Sequence, residues 1–202
     1  HGRAVIPYYV SETEPEGIGT VSEIEASELM ASDMQYVLLR LQKKVEIGTH
    51  LMTAVVKRPV EFRKKKMAEM IEVGGEVEVT ELLSADENVY RALVLRSVNA
   101  VARGSLVLTE ALPETDYSVS GRRVDVETTV IGGEFDERKT LHGSGALIYL
   151  DGGSDKGLQP GDLLAIRASR ESRLGASTYG SIRTAVGVAK IVRTEKSVAT
   201  AV

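Results

Sequence analysis

Valines and acids alternate over Glu76-Val77-Glu78-Val79-Thr80. This period of two sends one strand face into a core and the other into water. A looser version of the rhythm recurs along the chain. It predicts strands over residues 19–24, 36–41, 50–56, 89–95, 105–108, 124–131, 146–150, 163–166, 186–192 and 197–202. Residues 5–10 read as a short edge strand, because Pro7 lacks a ladder donor. Between these runs, 11–17 reads as an acidic linker, 85–88 as a polar turn, 151–157 as a loop and 169–180 as a second, longer loop. Residues 25–35 fit a helical turn or a loop. Over 57–71, Val60, Phe62, Met67, Met70 and Ile71 allow a short helix, but Glu72-Val73-Gly74-Gly75 argues for a strand that ends at a glycine bend.

The pattern repeats. Tyr36 precedes Gly48 by 12 residues and Tyr149 precedes Gly161 by 12. Gly19 and Gly132 each lie 17 residues before their tyrosine, and Gly75 and Gly187 follow by 27 and 26 residues. A register near 113 residues points to a duplication. The expected fold is mainly β: two related tandem antiparallel β modules, with a barrel as one form they can take. The first spans 1–110 with its N-terminal edge strand, 111–123 is a connector, and 124–202 is a second, incomplete copy. Gly48, Gly75, Gly104, Pro160, Gly161, Asp162 and Gly187 are read as its structural turn positions. Two periods exceed the 202 residues present, the chain opens on His1 rather than Met, and it closes inside an apolar-alternating run. These features read as a piece of a longer protein, with His1 a tag remnant.

Composition narrows the chemistry. With 43% hydrophobic residues the chain can fill a sizeable core. The absence of Cys rules out a disulfide scaffold, a Cys zinc site and thiol chemistry. His1, His50 and His142 offer little for a histidine metal site, so no metal and no cofactor are expected. Twenty-nine acids against 25 bases give no general attraction to nucleic acid. No 18-residue apolar stretch is present, so no membrane span is expected. Oligomeric state is not readable from the chain.

Candidate constellations each have a plainer reading. The pairs Glu76/Glu78, Asp125/Glu127 and Glu134/Asp136 are spaced i,i+2, which makes the wet face of a strand rather than an acid/base pair across a cleft. His50 sits beside Leu51 in a strand, as a surface or packed side chain. His142 is the better catalytic candidate, yet Leu141-His142-Gly143-Ser144-Gly145 lacks the first glycine of a nucleophile elbow and reads as a turn. Asp151-Gly152-Gly153-Ser154-Asp155-Lys156-Gly157 lacks the spacing of a phosphate cradle and the oxygen ligands of a calcium loop. Asp162 fits a turn cap. The one strong charge asymmetry is 57–66, six bases in ten residues. Arg58, Arg63, Lys64, Lys65 and Lys66 are the candidate ligand-binding residues, for an anionic polymer, membrane surface or acidic partner; the alternative is a solvated hairpin tip or connector.

Gly157-Leu158-Gln159-Pro160-Gly161-Asp162-Leu163-Leu164-Ala165-Ile166, with Gly75-Glu76-Val77-Glu78-Val79 and the 197–202 pattern, resembles the duplicated β-rich C-terminal region of bacterial LysM-containing, peptidoglycan-binding envelope proteins. The resemblance covers most of 17–202 and rests on structural glycines and apolar positions. No LysM module lies in this chain, so no glycan-gripping residue carries over. The resemblance implies a periplasmic or cell-envelope location, an envelope-protein partner and a non-enzymatic scaffold or interaction role. The alternative is direct glycan or anionic-polymer binding through 58–66 and the 169–179 loop. An enzyme, built on His142 or Asp151 beside a nucleophile, ranks third.

Overall fold

The computed structural model describes residues 3–26, 29–116, 121–135, 143–174 and 177–202, with side chains described throughout except over 168–174 and 177–184. His142 therefore lies outside the described residues, as do Asp136 and the side chains of the 169–179 segment.

The fold is mainly β and antiparallel. The first part of the chain holds β1 (Arg3–Val5), β2 (Tyr8–Ser11), β3 (Gly19–Ile24), β4 (Met30–Ala31), β5 (Tyr36–Leu41), β6 (His50–Phe62), β7 (Lys65–Ser84), β8 (Val89–Ser97), β9 (Val101–Ala102), β10 (Leu106–Leu108) and β11 (Glu114–Asp116). The second part holds β12 (Arg122–Arg123), β13 (Thr129–Gly133), β14 (Ile148–Asp151), β15 (Asp162–Leu174), β16 (Ser177–Thr194) and β17 (Val198–Ala201), with one 3₁₀ turn over Ser154–Lys156. No helix among the described residues is long and apolar enough to cross a membrane.

The first unit closes into a ring. Its main sheet runs β2-β7-β6-β10-β3-β5-β8, and a further β7–β8 pairing joins the ends of six of these strands. Val21, Val37, Leu39, Leu51, Val77, Val79 and Val94 fill the interior. The second unit runs β12-β15-β16-β17-β14-β13 and stays open. Ile148, Leu150, Leu158, Leu164, Ala189 and Ile191 make its core. Barrel closure is thus partial.

The two units share a strand order, β3-β5-β8-β7-β6 in one and β13-β14-β17-β16-β15 in the other. They also share a turn. Gly48 and Gly161 both sit in the left-handed region, at φ 86° and 96°. Each donates its N–H 2.7 Å to the opposing long strand, at Val79 O and Ile191 O. Each is followed by a residue whose N–H reaches back three residues, Thr49 to Glu46 O and Asp162 to Gln159 O. The degenerate Glu46-Ile47-Gly48-Thr49 therefore makes the same turn as Gln159-Pro160-Gly161-Asp162. Gly104 also adopts positive φ, at 84°.

Several expectations need correction. Gly75 and Gly187 are not turn residues. They lie inside β7 and β16, each beside a register shift, where Thr53 pairs Gly75 and Ile166 pairs Gly187. β7 runs through the glycines rather than ending there. No helix forms over 57–71, because β6 and β7 continue as a hairpin whose tip is Arg63-Lys64, both at positive φ. Residues 169–174 and 177–180 belong to the arms of a β15–β16 hairpin, not to a loop. The run 124–131 is a strand only from Thr129, and 111–123 contains β11, paired with β1, and β12. The upstream matches also shift. Bulges equate Val21 with Val130 and Leu39 with Leu150, rather than Gly19 with Gly132 or Tyr36 with Tyr149. Tyr149 is accordingly buried, whereas Tyr36 is half-buried under the Arg91 guanidinium.

A buried seam joins the units. Val60, Ala68 and Met70 of the β6–β7 hairpin pack with Val10 on Ile131, Tyr149 and Val198. Polar groups close its edges. Val10 N–H donates to Thr200 Oγ1 at 3.1 Å, Glu12 N–H to Glu195 Oε2 at 2.7 Å, and Ser197 donates from both N–H and Oγ to the Glu12 carboxylate. Arg58 reaches Gly133 O at 2.9 Å and Lys190 reaches Asp116 O at 2.6 Å.

Candidate functional site

Two features stand out on this frame: the basic hairpin tip and an opening in the second unit.

At the tip, a two-residue connection with positive φ at both positions matches the twist of the flanking strands. Asn-Gly is the usual solution; here Arg63 and Lys64 take it, which pushes both side chains outward. Arg63 lies 5.2 Å from the Phe62 ring centroid. Lys66 pairs with the buried carboxylate of Glu69. Arg58 is spent on the seam, at Gly133 O. The sequence thus grouped five bases that the structure divides by role. Arg63, Lys64 and Lys65 face water at the tip, while Arg58 and Lys66 serve local structure.

The opening comes from the sheet order. Among the described residues, β13 has only β14 beside it. β15 has β16 on one side and, on the other, only β12 at Asp162 and Leu163. Residues 124–128 form a strap from one free edge to the other. Val124 and Val126 turn inward onto the second core, and Asp125 and Glu127 turn to water. The alternation seen in the sequence is kept, although no ladder neighbour makes the strap a strand. Against it lies a cavity of about 520 Å³ with a mixed lining, apolar at Ile148, Leu150 and Leu164 and polar at Glu127, Thr128 and Arg167.

The strap is latched at both ends. Arg122 grips Asp162 with two bonds, 2.9 and 3.1 Å long. Val124 N–H donates to Leu163 O at 3.3 Å, and Thr128 Oγ1 donates to Asp151 O at 2.5 Å. The Asp162 carboxylate is buried and also accepts from the Gln159 N–H, the turn-capping role expected for it. The Arg122 hydrogen bonds hold its carboxyl below the ordinary aspartate range, against the opposing effect of burial. The sequence reading missed Arg122. Its signal, a base 40 residues from its acid, is invisible to local spacing.

The other candidates resolve into local structure. His50 is exposed, with Nδ1 2.8 Å from Glu76 Oε1 and Nε2 3.9 Å from Glu78 Oε2 across the strands. In the 151–157 segment, Asp155 accepts from Gly153 N–H and Lys156 Nζ donates to Asp151 O. No cluster of three metal-type ligands occurs among the described residues. No family model, curated protein or solved structure matches this chain.

Proposed function

We propose that this chain is a non-enzymatic scaffold and protein-interaction region of a larger bacterial cell-envelope protein, in keeping with its resemblance to the β-rich region of LysM-containing proteins. The observation that carries this reading is the seam. The first unit extends a hairpin well beyond its own ring and buries Val60, Ala68 and Met70 against the second unit. Glu12, Ser197 and Glu195 tie the same boundary with hydrogen bonds. Such a joint fixes the spacing and orientation of whatever the two units contact, which is what a scaffold requires. In this reading the peptidoglycan grip lies in a LysM module outside the chain, and the location is the periplasm or envelope. Sedimentation of this chain with purified peptidoglycan should show little retention. Strong, saturable retention would refute the reading.

A second reading is direct binding of an anionic polymer at the hairpin tip. Its support is the outward Arg63-Lys64-Lys65 group on a positive-φ turn. Lys64→Glu with Lys65→Glu separates the two readings and leaves the Lys66–Glu69 pair intact. Loss of salt-sensitive binding to an anionic glycan would favour this second reading. An unchanged, negligible signal would leave the first.

A further inference from the structure

We infer that Met30 and Met34 form a reversible oxidation site, where a peroxide converts both thioethers to sulfoxides and turns an apolar surface polar without disturbing the fold.

The argument starts from sulfur. The chain has no cysteine and five methionines, so thioethers are its only sulfur groups. Burial then sorts the five. Met52 and Met70 are buried in apolar clusters, and Met67 is half-buried against the seam. Met34 is 70% exposed and Met30 is 57% exposed. Oxidation of a thioether follows access to it, so water-borne oxidants meet this pair first.

Local structure explains why both face water. β4 pairs with β9, with Met30 opposite Ala102 and Ala31 opposite Val101. Ala31 and Val101 are fully buried in the core of the ring, so strand alternation leaves Met30 on the outside. Met34 follows at φ 65°, and its backbone is fixed on both sides. Its N–H donates to Val94 O, the Val94 N–H donates to Gln35 O, and the Asp33 carboxylate accepts from the Ser97 N–H and Oγ. These anchors are backbone and carboxylate groups. Neither thioether belongs to an apolar core of the described residues.

The chemistry balances with hydrogen peroxide as the oxidant. A sulfur lone pair attacks one peroxide oxygen, the S–O bond forms as the O–O bond breaks, and the sulfur loses two electrons to the oxidant. The proton on the transferred oxygen passes to the departing hydroxide, which leaves as water. The new oxygen lies on the water side, so no buried group loses a partner. What changes is the surface. With Leu29, which is 82% exposed, the pair presents three large apolar side chains between residues 29 and 34, and oxidation makes two of them polar. A sulfoxide at Met70 would instead set an oxygen among Val60, Ile131 and Tyr149 of the seam. Exposure thus separates a tolerated oxidation from a damaging one.

The test is a time course of the intact chain in hydrogen peroxide, with sulfoxides located by peptide mass mapping. Met30 and Met34 should oxidise at least about tenfold faster than Met52 and Met70. Once both are sulfoxides, circular dichroism and the urea midpoint should match the untreated chain. Retention on a hydrophobic-interaction column should fall, and methionine sulfoxide reductases should restore it. Met30→Leu with Met34→Leu keeps the apolar shape and should abolish both the early oxygen uptake and the fall in retention. Oxidation of Met52 or Met70 at a comparable rate, unfolding that accompanies the first two oxygens, or unchanged early uptake in the double variant would each overturn the site. Unchanged retention after both sulfoxides form would overturn the change of surface.

Discussion

Gly75 and Gly187 occupy matched sites beside matched bulges, yet alanine at the two should act in opposite directions. A Cβ on Gly75 would stand 2.4 Å from Arg96 O and 3.1 Å from Ser97 Cα. Both are backbone atoms of β8, which pairs with β7 through Gly75–Ser97. This end of β8 has little room to retreat, because Val94 exchanges backbone bonds with Met34 and Gln35 and Ser97 is held by the Asp33 carboxylate on the other side. Overpacking of this kind costs about 1–3 kcal/mol. At Gly187 the nearest atom to a new Cβ is Ile166 Cδ1 at 3.8 Å, ordinary contact. There the alanine would gain roughly 0.5–1 kcal/mol from lower unfolded-state freedom within a strand. The two variants should therefore differ by about 1.5–4 kcal/mol, the sum of those two effects. Urea unfolding followed by circular dichroism reads the difference directly, and melting should shift by about 2–4 °C per kcal/mol in a chain of this size. Equal losses from both variants would show that the second unit is as closed as the first at this point. A Gly75→Ala protein as stable as the parent would refute the close approach of β8.

Three further outcomes follow from the seam and the strap. Val60→Ala removes a fully buried side chain from the seam and should cost about 2 kcal/mol from lost methyl burial plus the cavity left behind, read as a lower urea midpoint. The Asp162 carboxyl is depressed by Arg122, so its contribution is full above the ordinary aspartate range and is lost as pH falls through the depressed value. The protection factor of the Val124 amide, held on Leu163 O beside the latch, should fall in acid, and Asp162→Asn should lower it already at neutral pH; a protection factor unaffected by either change would contradict the latch. Burial pushes the Tyr9 hydroxyl up to about 12 and raises Tyr149 as well, so both stay neutral in the fold while ordinary tyrosines ionise. Their contribution is intact below the unfolded value near 10 and fades as pH rises toward 12, so absorbance titration should show late tyrosinates that appear together with unfolding. Seven tyrosines ionising together without unfolding would refute it.

Strand positions were legible because alternation is enforced by burial. Val77 and Val79 are fully buried, while Glu76 and Glu78, each just before one of them, stay partly exposed, and the sequence shows that rhythm without help. Gly48 and Gly161 were legible because a left-handed turn leaves a glycine at a fixed distance before a strand. The hairpin arms were not. The tip of β6–β7 is charged because water surrounds it, and its buried side faces the other unit, so apolar residues there signal a neighbour that local spacing does not contain. Register was hidden for a related reason. One-residue bulges leave the apolar pattern intact on either side, so Tyr36 and Tyr149 look equivalent although the matched pairings make Leu38 the counterpart of Tyr149.

The strap was the least legible feature, since its course depends on the distance between two strand edges and not on any one residue. Val124-Asp125-Val126-Glu127 has the alternation of a strand, and the sequence reading placed one there. What decides against it is the distance between two edges that a ring must bring together. In the first unit β10 spans that distance with a ladder on each side. In the second, the strap spans it through the Val124–Leu163 backbone bond and the Thr128–Asp151 side-chain bond. Two valines then cover a core that a ladder strand would seal. The second unit nevertheless keeps its form, because its outer face, at Ile131, Tyr149 and Val198, is backed by the β6–β7 hairpin of its neighbour. The seam thus does for the open unit what β10 does for the closed one. It supplies buried contact that backs the sheet on the side away from the strap.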